Sequence, residues 1–462
     1  MTEQTVSLND AFKLAVEHEQ AGRLDEAERV LGQILAAAPE QPDTLHLLGV
    51  VAARRDRFAD AAGLIERALQ TRPDNALYYR NICEIYRRIG RYDEAVSTGR
   101  RAVQLAPEDP HALVNLAIIY YDCLRLEEGI ACSEAAIALD PGLPSAHFEL
   151  AEALLVQGRF ERGLEEYEWR FRIAGAGELM PQAVNGRERP QWDGTPMDEK
   201  LLLIADQGYG DVIQFSRFLP WAARSCRDIE IACAREMHPI VAQILPGVRL
   251  FDRWQEAPDF AAYCSFSGLP KRFGLTLRNI PTKPAYLNAD PALVCAWKAR
   301  IDALAPPGYL RVGIAWAGRP SHNNDFNRTT TLASFAEIAE LPGVALVALQ
   351  KGAAQNQVGR YFGRAPLLNL GPEIQSYTDT MAVLECLDLV VSVDTSLVHL
   401  AGALGRDALV MLPFAPDWRW LLDRTDTPWY PSVRLFRQPV PRQWGPVTQS
   451  IAGVIHQWRH RG

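Results

Sequence analysis

Residues 385–418 read ECLDLVVSVDTSLVHLAGALGRDALVMLPFAPDW. Leu389 to Val393 is a β-branched run ending at Asp394, the pattern of a central parallel strand covered on both faces. Ser392 to Ser396 put small polar groups where that strand hands over to a helix, and Leu397, Leu400, Ala401 and Leu404 recur at helical spacing before the stop at Gly405. Ala408 to Leu412 has strand character again and runs into a Pro- and Trp-rich loop. The unit is strand, polar turn, helix, strand. In an open α/β sheet, ligands sit outside the carboxyl ends of such strands, with first-turn amides free to meet an anion. Asp394, Thr395, Ser396 and His399 are therefore the first candidate ligand residues.

Upstream, the same alternation predicts the rest of this lobe. Leu310 to Trp316 reads as a strand, Gly318 to Thr331 as a polar loop, Leu332 to Glu340 as a helix, Val344 to Gln350 and Leu367 to Leu370 as strands, and Thr378 to Leu387 as a helix. An earlier lobe opens with Lys200 to Ala205, a buried strand running into Asp206-Gln207-Gly208-Tyr209-Gly210-Asp211 and then a helix carrying Val212, Phe215, Phe218 and Leu219. Glycines in such a turn let backbone approach a ligand, and the helix beyond holds side chains still. The turn is not a GxGxxG fingerprint, and no acidic residue stands where a dinucleotide ribose needs one. Ile229 to Ala234 is the next strand, Met237 to Leu245 a helix, and Asp259 to Cys264 the start of a third strand leading to a polar-glycine loop, 265–270. Pro281, Pro284 and Pro291 argue against a long regular element over 271–291, and 306–308 reads as a hinge between two lobes. Ligands prefer such clefts.

Ahead of residue 173 the pattern changes. Pro39, Pro73, Pro107 and Pro141 are spaced 34 residues apart. Ala15, Gly49, Cys83, Ala117 and Ala151 share one phase, small enough for a close helix crossing; Leu24, Phe58, Tyr92, Leu126 and Phe160 share another, where a large apolar residue begins a second helix. Ala27, Ala61, Ala95, Gly129 and Gly163 mark a third. This period resembles the tetratricopeptide family, and predicts roughly five antiparallel helix pairs over 8–172. The resemblance implies binding of peptides or partner proteins on a curved surface. Asn81 and Asn115 share a phase and are candidate peptide contacts in the groove, or else satisfy local turns. Residues 173–197 read as a connector, with Trp192 positioned to pin it to the next domain.

The 462 residues, 48% hydrophobic and 23% charged, fit a globular protein of two or three domains. A net charge of -8 argues against a nucleic-acid backbone binder. The eight cysteines are scattered without a CxxC, which favours buried reduced thiols over metal or disulfide roles. The N-terminus does not resemble a signal peptide, and no apolar run is long enough to span a membrane, so a cytoplasmic location is expected.

GYGDVIQFSRFLP (208–220) and VVSVDTSLVHLAGALG (390–405) resemble the paired signatures of bacterial heptosyltransferase-like glycosyltransferases, which have the GT-B fold. LPFAPDWRWLLDRTDTPWYPSVRLFRQ (412–438) resembles the branch in which such a domain follows tetratricopeptide repeats. The resemblance implies an α plus α/β protein: a repeat superhelix, a connector, an acceptor lobe over 198–305, a nucleotide-sugar lobe over 306–440, and a final helix over 441–462 crossing back to the acceptor lobe. It makes Asp211 the counterpart of the general base, and Asp394, Thr395, Ser396 and His399 the donor motif, with inversion by direct displacement. A carboxylate on a rigid turn suits the chemistry, since transfer to an alcohol requires a proton acceptor; the alternative role for Asp211 is an N-cap.

Diphosphate needs positive charge, for which Arg328 ranks ahead of Lys351 because its fork suits paired phosphate oxygens. Gln207, Gly208, Tyr209, Gly210, Gln214 and Trp418 are candidate substrate contacts, while Trp418, Trp420, Trp429 and Tyr430 as a group read first as structure. No DxD-like motif stands at a strand end, so no metal and no cofactor beyond the donor substrate is expected. The expected partners are a nucleotide sugar and a protein acceptor bound by the repeats, with a homo-oligomer left open. The alternatives are a non-catalytic repeat scaffold that senses a sugar nucleotide and, less suited to the fold, a mutase or epimerase.

Overall fold

The computed structural model describes residues 7–173, 180–181, 183–184, 187–322 and 324–459. Residues 1–6, much of the expected connector (174–179, 182, 185 and 186), Asn323 of the polar loop and the end of the last expected segment (460–462) lie outside the described residues. The chain divides into two compact units, Met1–Ala153 and Leu154–Gly462.

The first unit is a row of helices: α1 (Leu8–Gln20), α2 (Leu24–Ala37), α3 (Pro42–Ala53), α4 (Phe58–Thr71), α5 (Ala76–Ile89), α6 (Tyr92–Leu105), α7 (Pro110–Asp122), α8 (Leu126–Leu139) and most of α9 (Pro144–Val156). Each second helix starts on the large apolar residue that the period singled out. Asn75 and Asp109 cap α5 and α7 by accepting first-turn amides, at 3.0 Å each. Prolines at the first turn of α3 and α7 use positions whose amides need no intrahelical partner. The small-residue phase is forced by packing. A Cβ at Gly49 would stand 2.6 Å from Ile65 Cγ1, and Ala15, Ala27, Ala61, Ala95 and Cys83 are all buried in the helix crossings.

The second unit begins with the end of α9 and α10 (Phe160–Tyr167), which continues as a 3₁₀ turn, Glu168–Arg172. Thus the last helix of the array belongs to the compact unit that holds the α/β body: it packs on α14 (Leu269–Phe273), and Phe160 and Tyr167 meet Trp418 edge-on at 6.0 and 6.1 Å. A two-residue hairpin follows, β1 (Ala183–Val184) with β2 (Arg187–Glu188). Trp192 pins the chain beyond it, donating its indole N–H to the Thr195 carbonyl (2.7 Å) and packing on Trp221.

The first sheet contains β3 (Leu201–Ile204), β4 (Ile229–Ala232), β5 (Arg249–Phe251) and β6 (Ala262–Ser265) in the order β5-β4-β3-β6, all parallel. Its helices are α11 (Tyr209–Phe215), α12 (Leu219–Ser225) and α13 (His238–Ile244). Residues 265–270, expected as a loop, form instead the end of β6, a 3₁₀ turn and the start of α14: Pro270 sits in its first turn, where it is compatible with a helix, and Gly274 closes it with φ 68°. A helix the sequence reading did not name, α15 (Pro291–Asp302), follows; Asp290 caps it by accepting the Ala292 amide at 2.7 Å.

The second sheet contains β7 (Leu310–Ala315), β8 (Val344–Ala348), β9 (Leu367–Asn369), β10 (Leu389–Val393), β11 (Ala408–Leu412) and β12 (Val433–Arg437). All are parallel in the order β9-β8-β7-β10-β11-β12, which in order of appearance is 3-2-1-4-5-6, the doubly wound arrangement. Its helices are α16 (Asp325–Arg328), α17 (Ala336–Ala339), α18 (Tyr377–Glu385), α19 (Ser396–Ala403) and α20 (Gly445–Arg459). β8, β10 and β11 are buried along their whole length, as strands covered on both faces must be. The expectation that the last helix crosses back onto the first lobe is corrected. Val447, Ile451, Ala452 and Ile455 of α20 join the core of the six-stranded sheet with Val391, Leu409 and Met411, and α20 packs on α17 and β12. An apolar face dictates that a helix is buried; it does not name the surface.

Candidate active site

Each sheet has a switch point, where the strand order reverses and the loops leave in opposite directions. In the first sheet it lies between β3 and β6, followed by the turn from Asp206 to Asp211 and by Ser265–Ser267. Asp206 accepts the Ser267 amide at 3.1 Å and its hydroxyl, tying the two strand ends together. In the second sheet the switch lies between β7 and β10, followed by Trp316–Gly318 and by Asp394–Ser396.

The two sets of loops meet. A Cβ on Gly210 would stand 2.9 Å from His399 Cδ2 and 3.4 Å from Ser396 Cα, so only glycine lets α11 lie this close to α19. Arg419, in the loop after β11, reaches across to Asp211 Oδ1 (2.5 Å) and Gln207 Oε1 (3.0 Å), while its other terminal nitrogen holds Asp417 (2.9 and 3.0 Å). Burial pushes the Asp211 carboxyl above its ordinary value, Asp417 and Asp206 push the same way, and the Arg419 guanidinium opposes them. Asp211 occupies the third position of α11, with Gly208 as the N-cap, so it is not itself the cap. About a quarter of its side chain is exposed, against 8% for Arg419.

His399 is buried. Its Nδ1 faces the Tyr430 hydroxyl at 3.0 Å, Trp420 stacks on its ring at 5.4 Å, and Nε2 lies 4.0 Å from Asp394 Oδ1. Burial, with Arg419 adding, pushes its pKa down to about 3. His399 is neutral at physiological pH, a hydrogen-bonding group rather than a cation for phosphate. Asp394 is pushed up to about 6, first by burial and then by Asp417, against Arg328 and Arg419. Beside an anion this is the favourable direction, since a neutral carboxyl avoids an unpaired buried charge.

Thr395 and Ser396 are half-buried at the start of α19, and the Ser396 hydroxyl accepts from Tyr377 at 2.9 Å. Tyr377 in turn meets the ring of Tyr209 edge-on, 5.5 Å between centroids. Arg328 pairs with Asp325 at 3.2 Å on the loop leaving β7, and a Cβ on Gly318 would strike both.

Other expected contacts are placed differently. The Lys351 ammonium is held by the Gly371 carbonyl (2.7 Å) and the Ile374 carbonyl, bracing the end of β8 against the segment after β9. Trp418 is fully buried among Phe215, Trp429, Phe160 and Tyr167 and acts as packing. Gln214 is buried on the α11 face shared with Gly210, and neither polar atom of its amide has a hydrogen-bond partner. In the array, Asn81 bonds to His46 Nε2 (2.8 Å) and Asn115 donates to the Arg80 carbonyl (3.2 Å), each linking one helix pair to the previous one.

Sequence reasoning missed Arg419, Asp417 and Tyr377. A signal existed for the first two: Asp417-Trp418-Arg419-Trp420 follows β11 as Asp394-Thr395-Ser396 follows β10, both at carboxyl ends of neighbouring strands. All eight cysteines are free; four are buried, three are half-buried and Cys295 is exposed, so the expectation of buried thiols holds for part of the set. Among the described residues no helix is long and apolar enough to cross a membrane.

A tetratricopeptide repeat family model matches residues 12–76, 46–110 and 114–169, so the helix pairs are tetratricopeptide repeats. The curated Protein FlbA of Caulobacter vibrioides is 28% identical over 342 residues, covering 67% of this chain and 55% of FlbA. The chain therefore spans about half the length of that relative. Among solved structures, a Pseudomonas aeruginosa pilF structure is 22% identical over 37% of this chain and 79% of its own, with a TM-score of 0.34. A thermophilic TPR protein of Thermus thermophilus is 21% identical over 36% and 92%, with a TM-score of 0.33. The chain thus joins tetratricopeptide repeats to an α/β region built on two parallel sheets.

Proposed function

We propose that this chain is a glycosyltransferase, moving a sugar from a nucleotide diphosphate donor to a hydroxyl of an acceptor, which is a protein recruited by the repeats. The observation that carries the reading is the meeting of the two switch points, Asp211 with Arg419 and Gly210 with His399. That arrangement sets a carboxylate from one sheet against a polar helix start from the other. In the proposed reaction the acceptor oxygen attacks the anomeric carbon as Asp211 takes its proton, and the bond from that carbon to the diphosphate oxygen breaks with inversion. Arg328 and the amides of Thr395 and Ser396 meet the charge that develops on the leaving diphosphate. Neutral His399 offers a hydrogen bond to the donor without adding charge, and the Asp394 carboxyl, pushed up to about 6, takes a proton beside the phosphates more readily than an ordinary aspartate. Lys351 serves as a brace.

Titration of full-length protein with a panel of nucleoside diphosphates and their sugars tests this. A diphosphate should bind, and Arg328→Ala should weaken it by about 1.5–3 kcal/mol, the worth of a charge-assisted hydrogen bond. Binding by no member of the panel sinks the reading in favour of a non-catalytic scaffold, which the close burial of His399 and Arg419 would then explain.

A further inference from the structure

We infer that Arg419 is a positioning residue that holds Asp211 in place and ionised, and that Gln207 ties this pair to the last helix of the repeats; the inference rests on the proposed role of Asp211. Every donor direction of the Arg419 guanidinium plane except Nε is used. One terminal nitrogen bonds Asp211 and Gln207, the other both oxygens of Asp417, and the plane lies over Trp418 (4.6 Å) and Phe215 (5.3 Å). The loop is held in turn: Asp417 accepts the Arg419 amide (2.9 Å), and the Trp429 indole donates to the Arg419 carbonyl (2.7 Å).

Two residues beyond, Leu421 sits at φ 54° and ψ -165°, a conformation strained for a γ-branched residue with a Cβ. Strain of this kind persists where the surroundings over-determine it. Arg419 is the fork that a carboxylate pair requires; a lysine could not serve both sides at once.

Gln207 extends the set. Its carbonyl accepts from Arg419 and its amide donates to the Tyr167 hydroxyl at 2.7 Å, which fixes the orientation of the side chain. Tyr167 ends α10, and the turn after it continues the attachment. Arg170 donates to the Ser265 hydroxyl (3.2 Å) and that of Ser267 and pairs with Asp206, and Arg272 pairs with Glu168. The turn that carries Asp211 is therefore gripped from one side by Arg419 and from the other by the last repeat helix.

The charged and titratable groups facing Asp211 are Arg419 and Asp417 from the loop after β11, Asp206 from the end of β3, and His399 from α19 beside Gly210. The opposed effects of Arg419 and of the neighbouring carboxylates on Asp211 make the sign of each substitution plain. Removing the guanidinium leaves Asp211 with burial and two like charges; removing Asp417 takes away a like charge and leaves Arg419 to Asp211.

The test uses full-length chain carrying carbon-13 aspartate, with the Asp211 signal identified by its loss in Asp211→Asn. In Arg419→Gln the Asp211 midpoint should rise by about one to three units, the range for an aspartate losing an adjacent arginine. Arg419→Lys should restore part of that shift, and Arg424→Gln, which breaks a surface pair on the same loop, should leave it unchanged. If Arg419→Gln does not fold, Asp417→Asn decides, with a lower midpoint expected. An Asp211 midpoint unmoved in folded Arg419→Gln, or not lowered in Asp417→Asn, overturns the inference. Because the titration needs no sugar donor, a shift in a protein that transfers nothing keeps the role of Arg419 and removes the glycosyltransferase reading. Where wild type does transfer, the acid limb of its kcat/KM profile should move up in Arg419→Gln by the same amount.

Discussion

The repeats and the α/β body differ in how far along the chain their polar partners lie. In the array, His46 meets Asn81 and Arg87 meets Asp122, each pair 35 residues apart, one position more than the 34-residue period. In the body, Asp211 meets Arg419 across 208 residues and Arg217 reaches the Trp429 carbonyl across 212. A unit that contacts only its neighbours repeats its chemistry at a fixed interval, so its contacts are printed in the sequence. A site formed by two sheets closing on one another leaves no such interval. What can be read there is the strand end that exposes a residue, and not the residue it will meet.

The comparison breaks first if the array is held together by apolar repetition alone. Arg87 is bonded to Glu84 (2.6 Å) and Asp122 (2.7 Å), with the Asp122 side chain only 8% exposed. Arg87→Met should destabilise the full chain by about 3–5 kcal/mol, the loss expected when one partner of a buried pair is removed. A denaturation midpoint like wild type would show the pair to be ornamental. Next come the glycines. At Gly402 in α19 a Cβ would lie 2.4 Å from the ring of Tyr430, whereas at Gly63 in α4 it meets nothing within 4 Å. Gly402→Ala should lose about 1–3 kcal/mol to overpacking, outweighing the ~1 kcal/mol that alanine gains in a helix.

A smaller effect is pH-dependent and sharpens the contrast. Burial pushes the Glu149 carboxyl up to about 8, against Arg87 and with Asp122 and Glu84. The folded chain therefore keeps a proton that the unfolded chain releases, and stability falls as pH rises from the ordinary carboxylate range to about 8. Glu149→Gln removes that fall, so its melting temperature should gain on wild type across this window; a constant difference would contradict the burial. Least of all, Gly63→Ala should stabilise by about 0.5–1 kcal/mol, because an exposed helical position gains propensity without a clash.

The legible parts were those in which local chemistry and final position coincide. Leu24, Phe58, Tyr92 and Leu126 mark helix starts because the residue type and the turn before it are local matters. β10 and β11 were read to the residue since a strand buried on both faces is a near-continuous apolar run, broken here only by the small Ser392. α15 escaped notice although Asp290-Pro291 is a good helix start, because the prolines before it suggested irregular chain and it fully buries only Ile301. At the site, Asp394 to Ser396 and Asp211 were visible from strand-turn-helix geometry, while Arg419 lay in a loop whose aromatic residues drew attention to packing. Trp418 packs as the first reading of the aromatic group has it, while Lys351, whose residue type suits a phosphate, is held by carbonyls of the protein itself, a tertiary contact with no local signal.

The central claim is that the carboxylate of Asp211 accepts a proton in glycosyl transfer, and Asp211→Asn tests it most directly. The amide keeps the size and can still accept from Arg419, but it is a very poor base. With a donor that binds, the transfer or slow hydrolysis rate of Asp211→Asn should fall about 10²- to 10⁴-fold while donor affinity and melting temperature stay near wild type. Transfer at the wild-type rate by a folded Asp211→Asn protein would contradict it.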